Sequence, residues 1–276
     1  SRSDAAINTM IKLNEAYTAE KRIGGEKWAA AVTNYGSYLS AYIKGLPRYM
    51  DLAMIDQNGT ILYTVGRRSS ERGQNLVNGE LRDSPIGKVF QKVMANGKTS
   101  VSDVGLYAPI DNKATMFIAA PIKSGNDTVG VMAVMVDVRR MLRSLEERTG
   151  LGKTGEVFIV GSDKLMRSDM YHDMKNRTIE ASLAGNVVEK NGVDSDATRD
   201  ALAGRTGIKP IIDYRGQLTL AAYSPIDFDG IRWAIVAKMD MDEAVSPVDE
   251  NGQEFLAQYK DAYGYEDLML FMNDGF

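Results

Sequence analysis

The sequence predicts an α+β protein in which a long N-terminal helix accompanies two similar modules. Each module is expected to contain a mainly antiparallel sheet of about five strands with flanking helices. Three observations predict this architecture. Residues 4–46 repeat apolar side chains at helical spacing, residues 47–138 carry strand patterns around one helix, and a second series of this kind begins after residue 150.

Residues 1–46 are predicted to form a helical stalk, because two amphipathic patterns flank Gly24-Gly25. Their apolar stripes are Ile7, Met10, Ile11, Leu13 and Tyr17, then Val32, Tyr35, Leu39, Tyr42 and Leu46. Two helices of about 18–20 residues would each span roughly 30 Å. Stalk helices with heptad-like apolar spacing need a partner, so we expect a homodimer formed through these N-terminal helices.

Residues 47–145 are expected to form the first module. Five strand-like runs occur in it, at 51–56, 60–65, 99–107, 115–122 and 129–138. Asn58-Gly59 joins the first two runs and is a strong hairpin signal. A helix is predicted at 84–95, with Ser84 as its N-cap and Pro85 at its first position. A further helical pattern covers 139–150.

Residues 146–246 are expected to form the second module. Its strand-like runs are 157–160, 164–167, 208–213, 218–225 and 233–239, and a helix is predicted near 195–203. The end of this module, 224–240, resembles residues 120–137 at an offset of 103 to 104 residues. We interpret the similarity as an internal duplication of one module.

Residues 247–276 resemble the start of a further copy. Tyr49-Met50-Asp51-Leu52 matches Tyr265-Glu266-Asp267-Leu268, and Asn58-Gly59 matches Asp274-Gly275 at the same offset of 216 residues. This similarity predicts a tandem array from which the 276-residue chain is a fragment.

Composition excludes several classes of protein. The formal net charge is −4, so nucleic acid is not an expected partner. The chain has no cysteine, which excludes disulfide and thiol chemistry. The apolar runs at 114–122 and 129–138 are shorter than the roughly 20 residues that span a bilayer, and the polar residues 1–4 are not expected to belong to a leader peptide. The chain is therefore expected to be either soluble or the excised part of a membrane protein.

Several motifs occur in a characteristic order. They are Tyr-x-Asp-Leu-x-x-Ile-Asp-x-x-Gly at 49–59, Asn75-Leu76-x-x-Gly79, Tyr107-Ala108-Pro109, Gly152-x-Thr154-Gly155-Glu156-Val157-Phe158 and Leu165-Met166-Arg167-Ser168-Asp169. Together they resemble the double Cache family over about residues 30–246. These are PAS-like extracytoplasmic sensor domains of bacterial chemoreceptors, histidine kinases and cyclic-di-GMP enzymes.

The resemblance implies a small-molecule sensing domain of a transmembrane signalling receptor, with chemotaxis as the leading role. It implies a periplasmic location, flanking membrane spans outside this chain, and a ligand in the membrane-distal module. Alternatives are the sensor domain of a histidine kinase or cyclic-di-GMP enzyme, and a solute-binding or adhesion module that does not signal. The amino-acid-binding branch of the family carries a Tyr/Arg/Trp-Tyr cluster and a later Asp, whereas neither Trp28 nor Trp233 precedes a tyrosine. This difference argues against an amino-acid ligand.

Enzyme motifs are incomplete, so no catalytic residue, metal or cofactor is predicted. A phosphate loop ending at Lys153-Thr154 would need glycine at position 147, where Glu147 stands. His172 is the only histidine, which leaves a catalytic triad or a zinc site without partners. Asp194, Asp196 and Asp200 lack the glycine and glutamate of a calcium loop and fit the start of a helix.

Arg167 and Asp169 are predicted to share one face of a strand, two residues apart. They would either bind a zwitterionic ligand or form a structural latch over the second module, and the latch is the preferred interpretation. Asp213 and Tyr214 are candidates for the same second site or latch.

The first module supplies the predicted ligand site. Its candidates are Tyr63, Asn75, Asp103, Tyr107, Phe117 and Asp137. Tyr107 and Phe117 would form an aromatic wall and Asp103 would supply a negative charge, which suits an amine or another small polar metabolite. Ligand closure is expected to shift the N-terminal helix against the exit segment at 239–246 by about 1–2 Å.

Overall fold

The computed structural model describes residues 2–46, 49–66, 70–148 and 150–245. They belong to two compact units, the first ending at Met141 and the second beginning at Leu142. Within these ranges, no helix has the length and apolar character needed to cross a membrane. The residues that resemble a further module copy, 247–276, lie outside the described part of the chain.

The first unit begins with the predicted helices. They are α1 (Arg2–Glu20), α2 (Glu26–Ala31) and α3 (Ser37–Lys44), and a π-helical turn (Val32–Gly36) joins α2 to α3 without a break. The break at Gly24-Gly25 is confirmed. Here the Glu20 carboxylate accepts the N–H groups of Lys27 and Trp28 at 3.0 and 3.3 Å, and so satisfies two free donors at the start of α2.

The sheet of the first unit is antiparallel, with strand order β2-β1-β6-β5 and with β3 and β4 both paired to β5. Its strands are β1 (Tyr49–Ile55), β2 (Ile61–Thr64), β3 (Ser100–Val101), β4 (Gly105–Tyr107), β5 (Lys113–Ser124) and β6 (Asp127–Val136). The expected single strand at 99–107 is wrong, because the chain leaves β5 after Val101 and returns to it at Gly105.

Local signals place the hairpin and the helix of this sheet. The hairpin between β1 and β2 turns at Gly59, whose φ of 87° suits glycine. Helix α4 (Pro85–Asn96) begins as predicted, with the Ser84 side chain accepting the N–H of Gly87. The expected helix at 139–150 is reduced to α5 (Val138–Met141) and a 3-10 turn at Arg143–Glu146.

The two faces of this sheet carry separate buried clusters. On one face, the apolar side of α4, including Ile86, Val89 and Phe90, packs on the sheet. On the other face, Met10 and Leu13 of α1 pack against the sheet together with Trp28 of α2. The apolar stripe predicted for α1 therefore covers the back of the sheet.

The second unit contains a four-stranded antiparallel sheet with strand order β7-β10-β9-β8. Its strands are β7 (Glu156–Gly161), β8 (Gly207–Ile212), β9 (Leu218–Phe228) and β10 (Ile231–Asp240), and its helices are α6 (Ile179–Gly185), α7 (Val188–Asn191), α8 (Asp196–Leu202) and α9 (Met241–Ala244). The helix predicted near 195–203 is confirmed as α8, which Ser195 caps. The strand expected at 164–167 is wrong, since these residues make only isolated bridges, from Met166 to Val160 and from Leu165 to Gly192.

Both sheets place their first strand beside their last strand. In the first unit β1 pairs with β6, and Asp51 lies opposite Met135. In the second unit β7 pairs with β10, and Glu156 lies opposite Lys238. The two pairs occupy equivalent positions, because the offset of 103 residues that relates Asp137 to Asp240 also relates Met135 to Lys238.

We predict that Leu13→Ala destabilises the protein by about 2–5 kcal/mol, because it removes a fully buried side chain between α1 and the sheet. The measurement is the free energy of unfolding in urea. Lys12→Ala, at an exposed neighbouring position of the same helix, is the control and should change stability by about 0.5 kcal/mol or less. Equal effects of the two variants would contradict packing of α1 on the sheet.

Candidate functional site

A row of small side chains crosses the α4-facing side of the first sheet. Register places Thr64 opposite Ala53, Ala53 opposite Ala133, Ala133 opposite Ala119 and Ala119 opposite Ser100. Directly opposed residues point to the same face, so the five form one row of small side chains from β2 to β3. Helix α4 packs over β5 and its neighbours, whereas Thr64 lies on β2 at the far edge.

Thr64 is the polar residue of this row that stands out. Its side chain is buried, with 1% exposure, and its hydroxyl makes no hydrogen bond with the residues that the structure describes. A hydroxyl removed from water normally finds a partner, because leaving it unsatisfied costs about 1–3 kcal/mol. Thr64 is therefore a residue through which a bound molecule could be held.

Tyr107 and Phe117 lie together on this face, as predicted. Their rings meet edge to face with centroids 5.2 Å apart, and both side chains are buried in the cluster under α4. Asp103 follows the residue that pairs with Phe117, since the N–H of Ser102 donates to the Phe117 carbonyl at 2.9 Å. The Asp103 carboxylate accepts the N–H of Val104 at 2.7 Å.

The remaining candidates of the first module lie elsewhere. Tyr63 belongs to the opposite face, where its hydroxyl donates to the Gly36 carbonyl at 3.5 Å. Asn75 organises a turn by accepting the N–H groups of Val77 and Asn78. Asp137 caps α5 by accepting the N–H of Arg140 at 3.1 Å. The structure thus does not bring all six candidates together.

Asp51 was not among the predicted candidates. It is buried in β1, and its Oδ1 atom accepts the N–H groups of Leu52 and Gly66 at 2.7 and 2.8 Å. Asp51 neighbours Met135, and Met135 neighbours Phe117, in one row across the sheet. The sequence signal was a carboxylate inside an otherwise apolar strand run, since a buried carboxylate is rare unless it has partners in the protein.

The second unit buries a cluster of charged side chains. The Lys238 ammonium lies 2.9 Å from Glu156 Oε1 and 2.7 Å from Asp213 Oδ2, and each of the three side chains is about 1% exposed. The Tyr214 hydroxyl donates to Glu156 at 3.2 Å, and the ammonium lies 5.0 Å from the centre of the Tyr214 ring. Two carboxylates and an aromatic face thus surround one ammonium group.

A further cation, Arg215, contacts this cluster from its more exposed side. Arg215 Nε lies 2.7 Å from Asp213 Oδ2, and the same guanidinium pairs with Asp240. Burial would raise the pKa of Asp213, but hydrogen bonds from Lys238 and Arg215 hold it below its usual value. Burial and the charge of Glu156 raise the pKa of Tyr214, so its hydroxyl stays protonated and acts as a donor.

Arg167 and Asp169 both hold local structure of the second unit in place. Arg167 is buried and reaches Asp163 at 2.9 Å and the Leu165 carbonyl at 3.1 Å, both within its own turn. Asp169 accepts the N–H of Ile179 at the start of α6. The strand predicted at 164–167, which would have placed both side chains on one face, does not form, since these residues make only isolated bridges.

The loop at 150–154, which partly resembles a phosphate-binding motif, binds the carboxylate of Glu243. The N–H groups of Lys153 and Thr154 donate to the two Glu243 oxygens at 2.6 and 2.7 Å, and the Thr154 hydroxyl also donates. Gly152 gives the carboxylate room, since a Cβ there would lie 2.3 Å from Glu243 Oε1. These contacts attach α9 to the loop before β7, beside a groove of about 890 Å³.

The other polar groups that might suggest catalysis are engaged or exposed. Asp194 pairs with Lys164 and Arg199, and Asp200 pairs with Arg205 and Lys209. Of the three carboxylates predicted to lie at a helix start, Asp196 is in the first turn of α8 and Asp194 precedes its N-cap, whereas Asp200 lies further along the helix. His172 lies exposed in a 3-10 turn with its ring against Tyr171.

Comparison with known families identifies the class of protein. The family described as a Cache domain matches residues 2–248, so the chain belongs to the Cache family. Cache domains are extracytoplasmic ligand-binding sensor modules, not catalytic ones. A search of curated proteins gives no significant match.

Solved structures agree with this fold. The ligand-binding domain of the Pseudomonas fluorescens chemoreceptor CtaA, in complex with L-leucine, has 15% identity and a TM-score of 0.50 over 88% of this chain and 85% of that one. The ligand-binding domain of the Pseudomonas aeruginosa chemoreceptor PctB, in complex with L-Gln, has 15% identity and a TM-score of 0.50 over 93% of both chains.

A longer protein also matches. An extracellular ligand binding receptor from Desulfohalobium retbaense has 12% identity and a TM-score of 0.51 over 85% of this chain. The present chain spans only 38% of that receptor.

Glu243→Gln should destabilise the second unit at neutral pH and progressively less in acid. Hydrogen bonds from Lys153 and Thr154 lower the Glu243 pKa from 4.5 to about 2. A lowered pKa contributes stability that is complete above about pH 4.5 and is lost as the pH falls towards about 2. The measurement is the urea midpoint of both proteins between pH 3 and pH 7.

The exposed Glu189, changed to Gln, serves as the control and should show no such pH-dependent difference. A Glu243→Gln protein whose midpoint follows wild type at every pH would contradict the role assigned to this carboxylate.

Proposed function

We propose that this chain is the extracytoplasmic sensing domain of a transmembrane signalling receptor, of the chemoreceptor type, and that its ligand binds in the first unit. Membership of the Cache family supports the sensing role. The observation that carries the location is the buried Thr64 hydroxyl at the end of the row of small side chains. This face combines apolar walls with a few inward polar groups, as small-molecule sites usually do.

The ligand is proposed to be a small polar metabolite with an amine group. The Tyr107–Phe117 ring pair offers aromatic surface to a cation, and Asp51 and Asp103 place carboxylates near this face. Two similar receptor domains are known in complex with L-leucine and with L-Gln. Amino acids therefore belong in the first panel of compounds to test. Because Tyr107 and Phe117 are buried, ligand entry requires their covering segments to move.

The signal is proposed to travel through α1. This helix packs on the back of the same sheet, and the Asn14 side chain donates to the Val129 carbonyl of β6 at 3.0 Å. A ligand that rearranges the front of the sheet can shift α1 only if it binds the two arrangements with different affinity. Dimerisation through the N-terminal helices and anchoring by flanking spans in the bacterial inner membrane complete the proposal.

A panel of amines, amino acids and carboxylates should contain a compound that raises the melting temperature of the protein. Tyr107→Phe should weaken its binding at least about tenfold, or about 1.4 kcal/mol, because it deletes a hydroxyl beside the proposed site. The matched control is Tyr63→Phe, which deletes a hydroxyl on the opposite face and should leave affinity unchanged.

The affinities of Tyr107→Phe and Tyr63→Phe for this compound distinguish the possible outcomes. Binding that falls equally in both variants, or in neither, would place the ligand elsewhere. A panel without any stabilising compound would contradict the binding function itself.

Ligand should also move α1 relative to the sheet. The chain has no cysteine, so Thr18→Cys in α1 and Asn126→Cys in the β5–β6 turn can be spin-labelled selectively. Pulsed electron resonance should show a distance change of about 1–2 Å with the ligand found above. An unchanged distance at saturating ligand would favour a binding module that does not signal.

A further inference from the structure

The second unit contains a binding site for an ammonium group, and the chain fills it with its own lysine. Lys238 extends from β10 to Glu156 on β7 and to Asp213 in the turn between β8 and β9, at 2.9 and 2.7 Å. Tyr214 contributes a ring face and donates its hydroxyl to Glu156. Two carboxylates and an aromatic face form the kind of environment that receptors use to bind amines.

The surrounding contacts hold this site in place around the ammonium. Glu156 Oε2 accepts the N–H of His172 at 3.1 Å, and Asp213 Oδ1 accepts the N–H groups of Arg215 and Gln217. Arg177 covers the Tyr214 ring with its guanidinium carbon 4.5 Å from the ring centre. Each carboxylate is therefore oriented by backbone donors, in addition to its contact with Lys238.

The equivalent position in the first unit has different chemistry. There the first strand also presents a buried acid, Asp51, but the residue opposite it on the last strand is Met135. The duplicated sheet thus carries a lysine in one copy and an uncharged side chain in the other. Of the two equivalent positions, Met135 and Lys238, only the one in the second unit carries a cationic side chain.

We propose that Lys238 is a tethered ligand, which occupies an amine site of the second unit and replaces a bound molecule as the group that holds β7, β10 and the β8–β9 turn together. The second unit would then transmit a signal and would not itself sense a metabolite. Removing the lysine side chain should convert this position into a site for a small primary alkylammonium ion. This inference does not depend on ligand binding by the first unit.

Chemical rescue of Lys238→Ala tests the proposal. The substitution deletes three methylene groups and the ammonium, which n-propylammonium replaces atom for atom. Lys238→Ala should melt below wild type, and millimolar n-propylammonium at constant ionic strength should raise its melting temperature by about 3 °C or more. Methylammonium should act more weakly, and 1-propanol, which lacks the charge, should have no comparable effect.

Wild type and Lys209→Ala are the controls. Lys209 also pairs with an aspartate and lies 5.6 Å from a tyrosine ring, but this pair is on the surface. Neither control should respond to n-propylammonium beyond a common solvent effect.

Three results would overturn the proposal. They are a Lys238→Ala protein as stable as wild type, equal shifts with n-propylammonium in all three proteins, and an unfolded Lys238→Ala protein that n-propylammonium does not refold. Rescue that depends on charge and on chain length, and that is confined to Lys238→Ala, supports it.

Discussion

The antiparallel pairing of each module's first strand with its last strand is the constraint on which the rest of the structure depends. It joins the start of a module to its end, β1 to β6 and β7 to β10, and leaves the other strands to add at one or both sides. Because facing residues in such a ladder share one side of the sheet, this pairing decides which side chains meet. It brings Asp51 to Met135 in the first unit and Glu156 to Lys238 in the second.

One scaffold therefore supports two different interiors. In the second unit, the charged side chains satisfy one another, and a buried lysine is stabilised by two carboxylates that would be costly to bury alone. In the first unit, a row of small side chains ends at the buried Thr64 hydroxyl on β2, and two aromatic rings lie on the same face of the sheet at β4 and β5. This difference is the physical basis for assigning ligand binding to one unit and transmission to the other.

Sequence patterns predicted the parts of the fold that depend on local chemistry. The caps at Ser84 and Ser195, the turn at Gly59 and the apolar face of α1 follow from rules that act within a few residues. Long-range contacts were harder. Tyr63 was expected in the same site as Phe117. It lies instead on the opposite face, because it pairs with Met54, and the register shift between Met54 and Ile55 lets Ile61 pair with Ile55 on the other face. Arg167 and Asp169 were expected to share a strand that does not form.

Asp213 and Tyr214 of the buried cluster were among the predicted candidates, but Lys238 and Glu156 were missed for the same reason. Lys238 and Glu156 lie far apart in sequence, and nothing near either residue indicates the other. The duplication at an offset of 103 residues aligns Lys238 with Met135. This difference could be interpreted only once the strand register showed that Glu156 lies opposite Lys238 on the neighbouring strand.

The central claim is that the first unit binds the sensed ligand, whereas the amine site of the second unit is already occupied by Lys238. It is tested most directly by backbone NMR during titration with a stabilising compound. We expect the largest shift changes at Thr64, Tyr107 and Phe117 and smaller, transmitted changes around Lys238 and Asp213; changes confined to the second unit would contradict the account.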